Sequence, residues 1–472
     1  MDYFKPVDVY PIMNKLVHQI TGQDSLKVVD TASYIDAGKK IIGVADTTSY
    51  DSIFGNLSII VGRTIIDVDS YDGKFKLISE TASEYDAKVR KISYYSKDTQ
   101  ASGMFNTQLY TNLGESLDDS SGAGSQWEQS PKIPLERVYS SEATYDYAYT
   151  EYIRQLKEAF TSEASFLDYI NGMRTDILND MESQTEARNQ GLVLSRLAGN
   201  KLMVDRGLLG AECSVNLTKE YNATYGTSYS TSDLLNDHKV SFLEFFLARL
   251  KNDTELMTYR SAKFHDACKQ TINGVDYYIL RHSKKNRQRF IYNSRLFTQI
   301  NLSLAQIFHP DKLLLPDSGE GVQFWQSIDD PYKIDVIPPL PDGNTSSEVK
   351  IDVVVGMVFD DRALASINRY TGMLATPVNA RHGYRNEFYH FLFSQNNDYT
   401  HDSILYYMSD EETAYFTGDG TTSTFSLTAT SVEAVTVNGV EKTIGTDVSF
   451  SSNTLTFTSA PADGAIIQVV YK

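Results

Sequence analysis

His265 and Cys268 stand three residues apart, a spacing at which two side chains can share one metal ion, but no second pair completes four ligands. A packed helix face is the expected role. Asp67, Asp69 and Asp72-Gly73 have the look of a calcium loop, yet a required ligand position is Tyr71 and the glycine is out of register, which leaves a solvated turn. His382 and His390 flank the turn Gly383-Tyr384-Arg385 without a placed nucleophile or carboxylate, so both are expected to be structural. Gly418-Asp419-Gly420 lacks the third glycine of a dinucleotide fingerprint and reads as a turn. There is no P-loop, nucleophile elbow or paired-histidine zinc motif in the sequence. These residues imply no enzyme, no cofactor and no metal.

One run could do electrostatic work. Arg281, Lys284, Lys285, Arg287 and Arg289 place five cations in nine residues of a chain whose formal charge is −18. Against nucleic acid such side chains release condensed counterions from phosphates. The other reading is a solvated turn, or a surface that pairs with an acidic patch on a neighbouring copy. Both readings stay open at this point. The overall acidity disfavours nucleic-acid or anionic-membrane binding by the whole chain and suits a protein kept soluble at high concentration.

These residues must be positioned by a chain of 472 residues, long enough for two or three domains, with globular apolar and charged fractions of 41% and 22%. Cys213 and Cys268 allow at most one bridge and read as reduced thiols of a cytosolic product. The opening MDYFKPVDVYPIMNKLVHQI has an early acid, two prolines and no apolar block, so no signal peptide is expected. No run is long and apolar enough to read as a membrane span.

Residues 1 to about 60 read as an extended arm leading into Ile59-Ile60-Val61 and Thr64-Ile65-Ile66. From Gly62 to Tyr152 the chain carries ten tyrosines and too little aliphatic side chain to form a core of its own, so it is either disordered or ordered against something else, and its pairs of strand-like runs favour the second. KFKLIS (74–79) and KVRKIS (88–93) alternate charged with apolar residues and predict two half-buried strands of one long hairpin. From Glu142 the spacing of Tyr145, Tyr149, Tyr152, Leu156 and Phe160 predicts an amphipathic helix. A second stripe, Phe166, Ile170, Met173, Ile177 and Met181, continuing to Leu194 and Leu197, predicts a helix of about 35 residues.

Further helices are expected near Ser241–Arg260 and Ser294–Phe308, with a strand around Asp276–Leu280 between them. Six prolines from Pro310 to Pro341 mark turns and edge segments. IDVVVGMVF (351–359) predicts a strand covered on both faces, and Asp360 is placed to cap a short helix after it. Phe388–Phe393 and Ser403–Met408 add two strands. The central fold class is therefore α+β. After an acidic hinge at Asp410-Glu411-Glu412, Phe416–Lys472 is rich in Thr, Ser, Val and Gly. Strand runs near 424–427, 432–437, 448–450, 454–458 and 466–471, with a hairpin turn at Asn438-Gly439, predict an all-β module of immunoglobulin-like size.

The successive phrases VNLTKEYNATYGTSY (215–229), RHSKKNRQRFIYNSRLFTQ (281–299), FWQSIDDPYKIDVIPP (324–339), VVVGMVFDDRALA (353–365) and TPVNARHGYRNEFYHF (376–391) occur in this order. With GRTIIDVDSY (62–71), they resemble major capsid proteins of tailed double-stranded DNA bacteriophages, short-tailed and crAss-like ones among them. The resemblance implies the tailed-phage and herpesvirus capsid fold. In that reading 1–61 is an N-terminal arm, 62–140 an extended loop across a neighbouring subunit, and 141–204 a peripheral domain with a spine helix. Residues 205–349 would be the axial domain, 350–412 the peripheral sheet and return, and 413–472 the appended β module on the exterior. No Lys, Asn and acid can be assigned to a covalent cross-link, and none is expected.

The expected function is a major capsid protein that self-assembles into an icosahedral shell around packaged phage DNA, located in the virion and assembled in the host cytoplasm. Expected partners are its own copies in hexamers and pentamers, scaffolding and portal proteins, packaged double-stranded DNA contacted non-specifically, and auxiliary or head-fibre proteins, with no membrane. The competing class is a tail or surface adhesion protein, suggested by the terminal β module and the tyrosine content.

Overall fold

The computed structural model describes residues 14, 33, 35, 37–40, 74–81, 89–96, 134–139, 142–159, 163–272, 275–296, 319–341 and 346–472. Most of the expected N-terminal arm, the Asp67–Gly73 turn and the middle of the extended loop lie outside these residues, as does the expected 294–308 helix beyond Leu296. Two compact units emerge, one of residues 1–88, 140–189 and 366–395, the other of 89–139, 190–365 and 396–472.

The first unit is built on a four-stranded sheet in the order Ser79–Thr81, Leu364–Ala375, Tyr384–Asn397, Glu142–Tyr152. The last of these corrects the helix expected from Glu142. Tyr145, Tyr147 and Tyr149 alternate along a strand paired antiparallel from Tyr384↔Tyr152 to Ser394↔Glu142. Tyrosine and threonine fit a pleated surface, and cross-strand rings reward that choice: Tyr147 meets Phe391 edge-on at 6.0 Å and Tyr152 meets Tyr384 at 6.1 Å. A helix starts only at Ile153 and ends at Ala159. The helix Glu163–Asp205 is 43 residues, longer than expected. The side chains of its early stripe, Phe166 to Ile177, lie outside the described residues. Within this unit Arg188 stacks its guanidinium on Tyr145 at 3.5 Å and Phe393 at 4.8 Å, and Tyr147 donates its hydroxyl to Asp180 O at 3.0 Å. These contacts tie the helix to the sheet.

The predicted 74–93 hairpin is also corrected. Phe75 and Ile78 are both buried, a spacing that suits the 3₁₀ turn Lys76–Ile78 and not alternation. Ser79–Thr81 then pairs parallel with Ser366–Asn368. Val89–Tyr94 pairs instead with Pro134–Tyr139, in the second unit.

The second unit centres on a five-stranded sheet in the order Ser214–Asn216, Ser403–Met408, Val353–Asp360, Gln288–Asn293, Gly319–Val322. The apolar run expected from 351 becomes its middle strand, buried from Val354 to Asp360. A bulge lies between Val354 and Gly356, where a Cβ would meet Ile291 O at 2.7 Å, so the close approach requires glycine. Helices Leu217–Tyr225, Thr231–Asn236 and Lys239–Leu256 cover this sheet through Leu217, Tyr221, Leu234, Phe242, Phe246 and Leu250. No helix follows Asp360: three turn residues lead straight into Leu364–Ala375, and the carboxylate is taken by Arg362. His265 and Cys268 sit in an irregular turn and not on a helix. Both cysteines are free.

The C-terminal segment forms two small sheets, Glu412–Thr417, Ile466–Tyr471, Val432–Val437, Val440–Lys442 and Thr424–Ser426, Thr454–Phe457, Val448–Ser451. They enclose Leu427, Val435, Val448, Leu455, Phe457, Ile467 and Val469. Asn438-Gly439 has φ of 52° and 76°, the left-handed turn its sequence predicts. The expected acidic hinge is bonded chain. Asp410 accepts from the backbone N–H and hydroxyl of Thr231 at 2.7 and 2.8 Å, and Glu412 pairs with Lys219.

Candidate functional site

Strand Tyr384–Asn397 and strand Ser403–Met408 are joined by Asp398-Tyr-Thr-His-Asp402, and every residue from Asp398 to Ser403 is buried. A buried polar turn must find partners for all its groups. Here each partner belongs to a different part of the chain. Asp398 receives Lys91 of the Val89–Tyr94 strand at 3.3 Å, and Lys91 also donates to Arg362 O at 2.6 Å. Arg196, from the long helix, reaches Asn397 Oδ1 at 2.9 Å, His401 O at 3.0 Å and Ser403 Oγ at 2.7 Å, with Asn200 adding a bond to the same hydroxyl. Arg281 donates to Thr400 O at 2.8 Å and to Ser93 Oγ at 2.7 Å. Asp402 meets His265 Nδ1 at 2.8 Å, while His265 Nε2 faces Ile279 O at 3.0 Å.

Ion pairing sets the charge states of this hub. Burial alone would raise the Asp398 carboxyl, but Lys91, His401 and the bonds from Thr400 hold it well below the usual carboxylate range. Asp360 is held low in the same way, against burial, by Arg362 and Ser283. Burial, with Arg281 beside it, pushes His401 down to about 3, so its ring is neutral at ordinary pH. Burial also lowers Lys91, and Asp398 only partly offsets it.

Ser283, Asp402 and His265 have the residue types of a hydrolase triad. The order is wrong for one. Ser283 Oγ contacts Asp360 Oδ2 at 2.6 Å and Asp402 Oδ2 at 3.0 Å, not the imidazole, so the ring is not placed to take its proton. All four side chains are buried. What this arrangement can do is fix the hairpin Val89–Tyr94/Pro134–Tyr139, the long helix and the segment 260–283 on one turn. Arg137 adds a second grip, at 3.2 Å from Cys268 Sγ.

The basic run is split by the fold. Arg281 belongs to the hub, whereas Lys284, Lys285, Arg287 and Arg289 surround the turn Lys285–Arg287 ahead of strand Gln288–Asn293. Lys285 pairs with Glu255, Arg287 lies 3.8 Å from Asp361, and Arg289 donates to Asn286 O at 3.0 Å. His382 is exposed beside Tyr384 and His390 is half-buried in its strand. In the Gly418–Gly420 turn Asp419 accepts from the N–H groups of Thr421 and Thr422. Among the described residues no group of three metal-ligating side chains converges. Lys91, Arg196, Asp398 and Asp402 were missed by sequence reasoning; the signal was a polar NNDYTHDS run between two apolar strands and an arginine inside the stripe LVLSRLAG.

A family model described as Phi29-like phage major capsid protein matches residues 12–398. A capsid structure of Staphylococcus phage Andhra is 12% identical, covering 72% of this chain and 86% of that one at a TM-score of 0.46. The head fiber and inner core protein gp22 structure of native bacteriophage P68 gives 11%, 72%, 86% and 0.45 for the same quantities. The acid-stable capsid of Helicobacter pylori bacteriophage KHP30 gives 10%, 72%, 92% and 0.35. No curated protein matches the sequence. At these scores the family match alone carries weight.

Proposed function

The chain belongs to the Phi29-like phage major capsid proteins, and from that membership we propose how its parts divide the work of building a shell. Forming the capsid from many copies of itself, as a component of the virion, is the function the family establishes. The finer assignment is ours: 1–61 the arm, 62–140 the extended loop, 141–204 and 350–412 the peripheral domain, 205–349 the axial domain, and 413–472 an immunoglobulin-like module. Copies form hexamers and pentamers of an icosahedral shell around double-stranded DNA, with scaffolding and portal proteins, and assemble in the host cytoplasm. The protein does no catalysis. Its Ser283, His265 and Asp402 are spent on packing. Lys284, Lys285, Arg287 and Arg289 serve subunit contact in preference to DNA, because Lys285 and Arg287 already have acidic partners and so would release fewer counterions.

One observation carries the reading of the extended loop. The inner face of its hairpin is gripped by Lys91, Ser93 and Arg137, while the outer face leaves Ile92, Tyr94 and Val138 exposed by 50%, 59% and 55%. Three large apolar side chains on one half of a two-stranded ribbon suit burial against a second copy. Replacing Ile92→Asp together with Tyr94→Ser should leave the thermal transition of the isolated subunit unchanged and abolish closed particles in electron micrographs. Normal particles from that variant would remove the hairpin from the interface.

A further inference from the structure

The segment after residue 398 lies outside the family match, and its attachment is the least expected feature of the second unit. Strand Ser403–Met408 is wholly buried in the five-stranded sheet, and Glu412 already begins the first strand of the β module. Three residues lie between. Three residues of chain reach at most about 11 Å, too short for a flexible tether.

The first two of these linking positions are bonded to the body, and the third to the module's own end. Asn216, which caps helix Leu217–Tyr225 by accepting from Thr218 N and Lys219 N, turns its Nδ2 to Ser409 O at 3.0 Å. Its Oδ1 accepts from Ser409 N at 3.4 Å. Asp410 sits on the first residue of helix Thr231–Asn236. Glu411 donates its backbone N–H to Ser409 Oγ at 3.1 Å and pairs through its carboxylate with Lys472, the last residue, at 3.4 Å. Glu412 pairs with Lys219 and accepts from the Tyr471 hydroxyl at 2.9 Å, which joins the first and last strands of the module to the body at one point. Arg206, just past the long helix, lies over the Tyr415 ring at 5.0 Å.

We propose that the C-terminal module is a fixed projection of the body, set at one angle by a bonded joint at Ser409–Glu412, so that every copy presents the same module surface in the same orientation. The bonds converge from two helix starts, the end of the long helix and the chain terminus. A rotation that relieves one of them breaks the others. The joint is a property of one chain and does not depend on how copies assemble.

The test is a spin-label distance across the joint in the full-length, unassembled chain. Labels go on Lys251→Cys and Ser449→Cys in a Cys268→Ser background, Cys213 being buried. A single narrow distance distribution is expected, and in the added presence of Asp410→Ala and Lys219→Ala the narrow peak should be lost while circular dichroism stays the same. Lys219→Ala alone, an exposed substitution, should broaden the peak without risk to folding. A broad distribution in the parent chain, or a peak as narrow in both the single and the double variant as in the parent, overturns the proposal.

Discussion

Gly199 shows at the scale of one residue how tightly the hub is built. It lies on the long helix, and a Cβ there would stand 1.9 Å from the Tyr399 hydroxyl oxygen. Tyr399 is buried, its ring lies under the Arg196 guanidinium at 4.3 Å, and its neighbours on both sides are committed to other partners. The ring cannot withdraw without pulling Asp398 from Lys91. Gly199→Ala gains helix propensity but overpacks this contact, and the net destabilisation should be about 3 kcal/mol, read from denaturant midpoints at constant slope. Adding Tyr399→Phe, which deletes the clashing oxygen, should recover part of that loss. Absence of recovery in the double variant would show that the cost arises elsewhere in the helix.

At the scale of elements, the sheet of the first unit carries a charge that its strands did not advertise. Glu151 and Arg385 face each other across adjacent strands, and Glu387 shares the same guanidinium. Burial, with the Glu387 carboxylate beside it, raises the Glu151 carboxyl to about 8, against the smaller opposing pull of Arg385. Because the folded-state value lies above the unfolded one, the folded state holds the proton more tightly. The resulting stabilisation is complete below about pH 4 and is lost as pH rises towards 8. Glu151→Gln should therefore flatten the fall in unfolding free energy between pH 5 and 8, measured by chemical denaturation at several pH values; an unchanged slope would place the titration on another group. The same strand explains what the sequence could and could not disclose. Tyr145, Tyr149 and Tyr152 fit helical spacing, but Tyr147 and the flanking threonines fit a strand as well, and only the partner Tyr384–Asn397 decides between them. The buried run 354–360 and the strands of the terminal module were legible because their periodicity or turn residues have no second solution. The hub was not, since Lys91 and Asn396 meet across 305 positions and neither is distinctive alone.

At the scale of the whole molecule the question is whether the terminal module belongs to the shell or stands on it. Its core of Leu427, Val435, Val448, Leu455, Phe457, Ile467 and Val469 is its own, and the family match ends before it begins. The body's sheet closes without it, because Ser403–Met408 is paired on both sides by Val353–Asp360 and Ser214–Asn216. What the body would lose are the contacts from Glu412 onward, the Glu412–Lys219 pair and the Tyr415 ring on Arg206, at exposed or half-buried groups whose individual worth is about 1 kcal/mol or less, while Ser409 and Asp410 keep their bonds to Asn216 and Thr231. Lys219 and Arg206 would then face water, which can solvate both. A chain ending at Glu411 should accordingly fold with a slightly lowered transition temperature and still form closed particles, seen by electron microscopy under conditions that assemble the full chain. If the truncated body folds and yields no particles, the fixed angle of the module is itself an architectural element, and the joint at Ser409–Glu412 becomes part of how neighbouring copies are spaced.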